Sequence, residues 1–209
     1  MATPNRALIV VDVQQEYFDG PLEIQYPPRD SSRAQILRAI DVADEAGMPV
    51  VIVKHELPEE APVFAKGSAR WELHSEIEGK VSQERKLVDK VFASVFDGTG
   101  LADWLRDKGV DSVTLVGYMT NNCIIGSAVG AEPLGFAVEI LSDATGAISI
   151  SNAAGSVPAK QVHETLMAVL NSNLARVATT DAWAEAVGSG AELEGSNLVH
   201  SALQGREDH

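Results

Sequence analysis

The chain has 209 residues, 45% hydrophobic and 22% charged, a composition that suits one packed α/β domain and excludes a disordered polypeptide. With 16 basic against 30 acidic side chains the net charge is −14, so the surface repels phosphate backbones and anionic membranes, and neither nucleic acid nor a membrane is expected as a partner. The single cysteine rules out an intramolecular disulfide, and no signal-peptide cleavage pattern follows Met1 to Arg6, so a cytoplasmic location is expected.

In chain order, Ala7 to Val11 is a continuous apolar run rich in β-branched residues, the pattern of a strand buried on both faces. Ser32 and Gln35 have capping-box spacing, with Ile36, Ile40 and Ala43 following at helical intervals until Gly47 and Pro49. Further strands are predicted at Pro49 to Val53, Leu87-Val88, Val113 to Val116, Phe136 to Leu141 and Leu174 to Ala178. A short helix is expected over Leu101 to Lys108, stopped by Gly109. Another is opened by Ser156 and Pro158, with Val162, Leu166, Val169 and Leu170 on one face. Alternating strands and helices predict a three-layer, doubly wound, mostly parallel sheet of about six strands with helices on both faces. The Pro-rich stretches 21–29 and 57–70 are longer than ordinary connections and are candidate lids. The domain is expected over residues 1–187, and 188–209 reads as a polar tail, either disordered or packed on a neighbouring subunit.

Ligands of doubly wound folds bind beyond the carboxyl ends of the strands. Three unusual residues fall there: Asp12, Lys90 and Cys123. Each has a plain structural reading, respectively a carboxylate holding strand-end amides, an exposed lysine and a small inert hydrophobe. Their shared placement supports a chemical one. Cys123 lies at the start of a helix, whose first amides and dipole favour a thiolate. Asp12 is suited to accept the thiol proton and return it to a departing amine, Lys90 to hold the charge, and the amides near Thr120 and Cys123 to cradle an oxyanion. With strand order 3-2-1-4-5-6, however, the third strand is roughly 9–10 Å from the first. Either Lys90 leans across or the order differs.

At these residues the chain resembles the isochorismatase-like cysteine hydrolases, which include nicotinamidases and carbamoylsarcosine amidases. The similarity runs from about Arg6 to Ala186 and is carried by Ile9 to Gln14 with Tyr17-Phe18, and by Val88-Asp89-Lys90 with Ala93 to Phe96 and Gly98-Thr99. Gly117 to Thr120 with Cys123, Ala128 and Gly135, and then Ser142-Asp143-Ala144, complete it. The resemblance implies an Asp12–Lys90–Cys123 triad, an acyl thioester on Cys123, a cis peptide at Met119–Thr120 aiming the Thr120 amide at the oxyanion, and a dimer or tetramer. It implies a small-molecule substrate with an amide or similar C–N bond. Nicotinamidases carry an Asp/His metal pair where this chain reads Val53-Lys54-His55-Glu56, with His74 further on, so no metal or other cofactor is expected. Residues flanking the blocks, Phe18, His55, Trp71, Phe92, Tyr118 and Ile124, are candidates either for the pocket or for the core. A vinyl-ether hydrolase that needs no cysteine, and a non-catalytic binding module on the same fold, are the competing readings.

Overall fold

Apolar strands without polar alternation need cover on both faces, and the computed structural model, which describes residues 3–208, shows how it is supplied. Strands β1 (Arg6–Val11), β2 (Val50–His55), β3 (Lys86–Lys90), β4 (Ser112–Tyr118) and β5 (Ala137–Gly146) belong to the main sheet. A hairpin of β6 (Ile150–Asn152) and β7 (Gly155–Val157) stands apart, and β8 (Arg176–Ala178) closes the main sheet. The six main strands are parallel and run in the order β3-β2-β1-β4-β5-β8.

The helices are α1 (Glu16–Asp19), α2 (Arg29–Glu45), α3 (Ser75–Glu78), α4 (Leu101–Asp107), α5 (Ile125–Ala131), α6 (Ala159–Val169), α7 (Thr180–Ser189) and α8 (Leu198–Asp208). None among the described residues is long and apolar enough to cross a membrane. Period-two alternation divides the strand residues between two cores. Ala7, Ile9, Val11, Val51 and Val53 join Leu101, Leu105, Ala128 and Met167 in one. Leu8, Val10, Val50 and Ile52 join Ile36, Ile40, Ala43 and Trp183 in the other.

Several local expectations change. Helix α2 begins at Arg29 after Pro28, and Ser32 is no cap: its hydroxyl meets the Arg29 carbonyl (3.0 Å) and the Tyr118 hydroxyl (2.8 Å). Pro28 pre-sets the entry angle and outcompetes the capping-box spacing. Ser156 belongs to the β6–β7 hairpin, so Pro158 alone precedes α6, and Val169 is exposed rather than part of its buried face. Beyond α7 only the stretch before α8 packs on the sheet, and α8 itself has no buried residue. Leu193 is buried, Arg6 Nη2 donates to the Ala191 carbonyl (2.6 Å), Arg176 pairs with Glu192 (2.9 Å), and the chain then enters α8.

Candidate active site

The end of β1 is where the backbone stops behaving as a strand. Asp12 takes a left-handed conformation (φ 49°), while its amide still bonds the Val53 carbonyl at 3.0 Å. Beside it Val11 pairs with Gly117 of β4. A Cβ at Gly117 (φ 103°) would collide with the Val11 carbonyl and amide, so only glycine permits this approach. That close pairing brings the chain after β4 up to Asp12. Residues 120–124 form a wide helical turn, with Cys123 buried at its heart.

Lys90 completes the group by leaning. It ends β3, in register with His55 of β2, and its Nζ crosses to 2.7 Å from Asp12 Oδ2 and 3.3 Å from Cys123 Sγ. The strand order is the expected one, and the length of the lysine side chain spans the intervening strand. Nζ also meets His55 Nδ1 (3.1 Å) and donates to the Phe92 carbonyl (3.0 Å). An ammonium has three protons, so Asp12, His55, Phe92 and Cys123 share them. Both Asp12 and Lys90 side chains are fully excluded from solvent, and among the described residues neither Asp12 carboxylate oxygen has a hydrogen-bond partner beyond the ion pair with Lys90.

The electrostatics correct one expectation. Burial pushes the Cys123 thiol well above its ordinary pKa, the Asp12 carboxylate pushes it further, and Lys90 only partly offsets them. Desolvation and the Asp12 carboxylate thus oppose the thiolate that the amides at the start of the turn would favour. For Lys90, burial disfavours the charge, but Asp12 and then Cys123 outweigh it, so its pKa moves up and it stays an ammonium. Burial and then Lys90 lower His55, which is neutral and can accept from Nζ.

The cis peptide also moves. It joins Tyr118 to Met119, one bond before the expected Met119–Thr120. Thr120 is already the first residue of the turn, and the Met119 carbonyl accepts the Asn122 (3.1 Å) and Ile124 (3.2 Å) amides. The amides of Thr120 and Cys123 find no acceptor outside that turn among the described residues.

The six flanking residues separate. His55 touches Lys90. Phe18 stacks on His74 (centroids 4.3 Å) and lies edge-on to Tyr118 (5.9 Å), whose hydroxyl is held by Ser32. Phe92 contributes its carbonyl to Lys90 while its ring is exposed. Ile124 is fully buried core. Trp71 lies under the Lys54 ammonium (3.1 Å from the ring centroid), in a cleft with Glu56, Lys66 and Asp89. Lys54 and His55, adjacent in β2, point to opposite faces of the sheet.

The histidines that would hold a metal do not converge. His74 Nδ1 accepts the Glu76 amide (3.4 Å), and Lys54 pairs with Glu72 (2.8 Å). No three His, Cys, Asp or Glu side chains among the described residues are placed to bind an ion. These residues do not fit the divalent metal that the resemblance attaches to nicotinamidases.

Two residues near the site were not singled out by sequence. Gln14, fully buried, bonds the His55 amide (2.8 Å) and carbonyl (2.9 Å) and the Trp71 carbonyl (2.6 Å), fastening β2 to the strand that carries Asp12. His163 of α6 lies 3.0 Å from the Thr120 hydroxyl. Gln14 at least falls within the first motif block; His163 sits in an amphipathic helix where its spacing carries no signal.

A buried carboxylate, ammonium and thiol thus meet at the carboxyl ends of the strands, where ligands of such folds bind. The sequence profile of the Isochorismatase domain matches residues 6–182, and the chain belongs to the isochorismatase family. A Verticillium dahliae relative, the secreted isochorismatase effector Isc1, is 31% identical over 145 residues, 69% of this chain and 74% of its own. Nicotinamidase 3 of Arabidopsis thaliana is 29% identical over 66% of this chain and 72% of its own. A crystal structure from Burkholderia xenovorans LB400, provisionally described as an isochorismatase, superposes with a TM-score of 0.95 at 44% identity over 98% of each chain.

Proposed function

We propose that this hydrolase cleaves the C–N bond of a small carboxamide or related compound through a thioester on Cys123, with Asp12 as proton carrier and Lys90 as the fixed cation. The observation that carries the reading is Lys90 Nζ lying 2.7 Å from Asp12 Oδ2 and 3.3 Å from Cys123 Sγ, all three side chains buried. A structural ion pair has no use for a thiol held against both partners.

The Cys123 proton passes to Asp12 as sulfur attacks the carbonyl carbon, so the high thiol pKa is met by transfer during attack rather than by a standing thiolate. The amides of Thr120 and Cys123 face the charge that develops on oxygen. Collapse expels the amine, which takes the proton from Asp12. Water then yields a proton to Asp12 and adds to the thioester, and the acid leaves as sulfur regains its proton. Lys90 remains an ammonium throughout. Nicotinamidase 3 among the relatives favours an amide over other bonds.

The test is a panel of small amides scored by ammonia release, with intact mass recorded under substrate. Turnover by the wild type, a Cys123-bound acyl adduct, and loss of both in Cys123→Ala are expected. Turnover surviving in Cys123→Ala would move the chain to the vinyl-ether class. Binding without any turnover would make it a binding module.

A further inference from the structure

We propose that His163 is a positioning residue for the oxyanion: it fixes the Thr120 hydroxyl and so holds the turn 120–124 with its amides aimed at the substrate carbonyl. The inference rests on the thioester reading and adds to it a residue from a distant helix.

The ring is assigned by its partners. His163 Nε2 lies 3.0 Å from the Ser142 carbonyl, which can only accept, so Nε2 carries the proton. Nδ1 is then the acceptor, and the Thr120 hydroxyl, 3.0 Å away, donates to it. Ser142 lies where β5 slips register with β4, between the Leu115–Ile140 and Gly117–Thr145 pairs. Thr120 is fully buried and His163 is 3% exposed, so both bonds are made out of contact with bulk water. Burial lowers the His163 pKa, keeping the neutral ring that this relay needs. Tyr26 packs edge-on to the ring at 5.6 Å.

The sulfur is anchored separately. The Cys123 carbonyl accepts the Ser127 hydroxyl (2.6 Å), and that oxygen in turn accepts the Val95 amide (3.1 Å). His163 thus governs the start of the turn, where the Thr120 amide is, and Ser127 the thiol. The two functions of one turn can be separated by experiment, because alkylation of a thiol creates no oxyanion whereas acylation does.

The experiment compares two reactions of Cys123 on the full chain: alkylation by iodoacetamide, and acylation by p-nitrophenyl acetate, read as the nitrophenolate burst and by intact mass. In His163→Ala, acylation is expected to slow by about 10- to 100-fold, the loss typical of a misplaced donor. Alkylation should stay within about threefold by the same argument. His163→Asn, whose side-chain oxygen can take the place of Nδ1, should restore acylation. His163→Gln, whose amide reaches the position of Nε2 and so keeps the Ser142 bond alone, should not. Thr120→Val should match His163→Ala, and the double variant should be no slower than either. Equal loss of alkylation and acylation, equal recovery by Asn and Gln, or an unchanged acylation rate would each overturn the proposal. A wild type whose Cys123 alkylates yet takes no acyl group from the ester or from any carboxamide would instead bring down the thioester reading, and this proposal with it.

Discussion

At the amino ends of the strands Arg6 and Glu139 form a buried ion pair; at the carboxyl ends Asp12 and Lys90 form another. Glu139 is saturated: it accepts Arg6 Nε (3.0 Å) and Nη2 (2.9 Å), the Thr114 hydroxyl (2.8 Å) and the Trp183 indole (3.1 Å). Arg6 Nη2 also donates to the Ala191 carbonyl. Asp12 has only its ion pair with Lys90, neither oxygen having another hydrogen-bond partner among the described residues, and that lysine divides itself among four partners. A bidentate guanidinium suits a fixed pair, whereas a point-charge ammonium can follow charge as it moves between carboxylate and sulfur. A structural pair needs its hydrogen-bonding positions filled, as those of Glu139 are; under the proposed function, the unfilled positions of Asp12 are what leave that pair free to react.

Removing each carboxylate in turn tells the two ion pairs apart most directly. Asp12→Asn should lose amide turnover by about 10²- to 10⁴-fold, the usual worth of a general acid–base, and should lose less stability than the Glu139 variant, because a stranded Lys90 ammonium can shed its proton where the Arg6 guanidinium cannot. A fall in stability as large as that of the Glu139 variant would make the two pairs alike. Glu139→Ala strands a buried guanidinium and should cost about 3–5 kcal/mol in urea unfolding, leaving turnover per folded molecule intact. A cost under about 1 kcal/mol would deny the saturated network its structural role.

Alkylation sharpens the electrostatic half of the contrast. Since burial and Asp12 raise the thiol while Lys90 lowers it, iodoacetamide labelling should be slow at neutral pH and climb steadily toward alkaline pH. Asp12→Asn should speed labelling at pH 7 and Lys90→Ala should slow it, each tenfold change in thiolate fraction corresponding to about 1.4 kcal/mol. Opposite responses are the signature; equal responses would mean that access, not charge, controls the sulfur.

Much of this site was legible in the sequence because its parts end apolar runs. Asp12 follows five buried residues and Lys90 ends β3, and strand ends are where such folds place ligands. What stayed hidden was set by contacts without a sequence period. Nothing in Val53-Lys54-His55-Glu56 shows that His55 turns to Lys90 while Lys54 covers Trp71; that needs the β2–β3 register. The helix start at Cys123 favours a thiolate, but sequence shows the turn and not the burial and the Asp12 carboxylate, both of which raise the thiol's pKa. Helix α2 starts ahead of the capping-box spacing because Pro28, with its fixed φ, opens it at Arg29.

Acid supplies the mildest test of the difference between the two ends of the sheet. His55, His74 and His163 all have lowered pKa values, in each case chiefly from burial, whereas the Arg6–Glu139 network contains no histidine. In the unfolded chain these rings titrate near their ordinary value of about 6.5. As pH falls below that, the unfolded state takes up protons before the folded state does, so stability that is complete above about pH 6.5 is lost until each folded pKa has been passed. Glu16, raised by burial, works against this trend, because the folded state protonates it first. Urea unfolding at pH 7.5 and pH 5.5 should therefore show a net loss, and His163→Asn, which removes one titrating ring while keeping an acceptor for Thr120, should lose less. If the variant and the wild type fall by the same amount, the acid sensitivity lies outside His163, and the ring that holds Thr120 is no more exposed to pH than the arginine that holds Glu139.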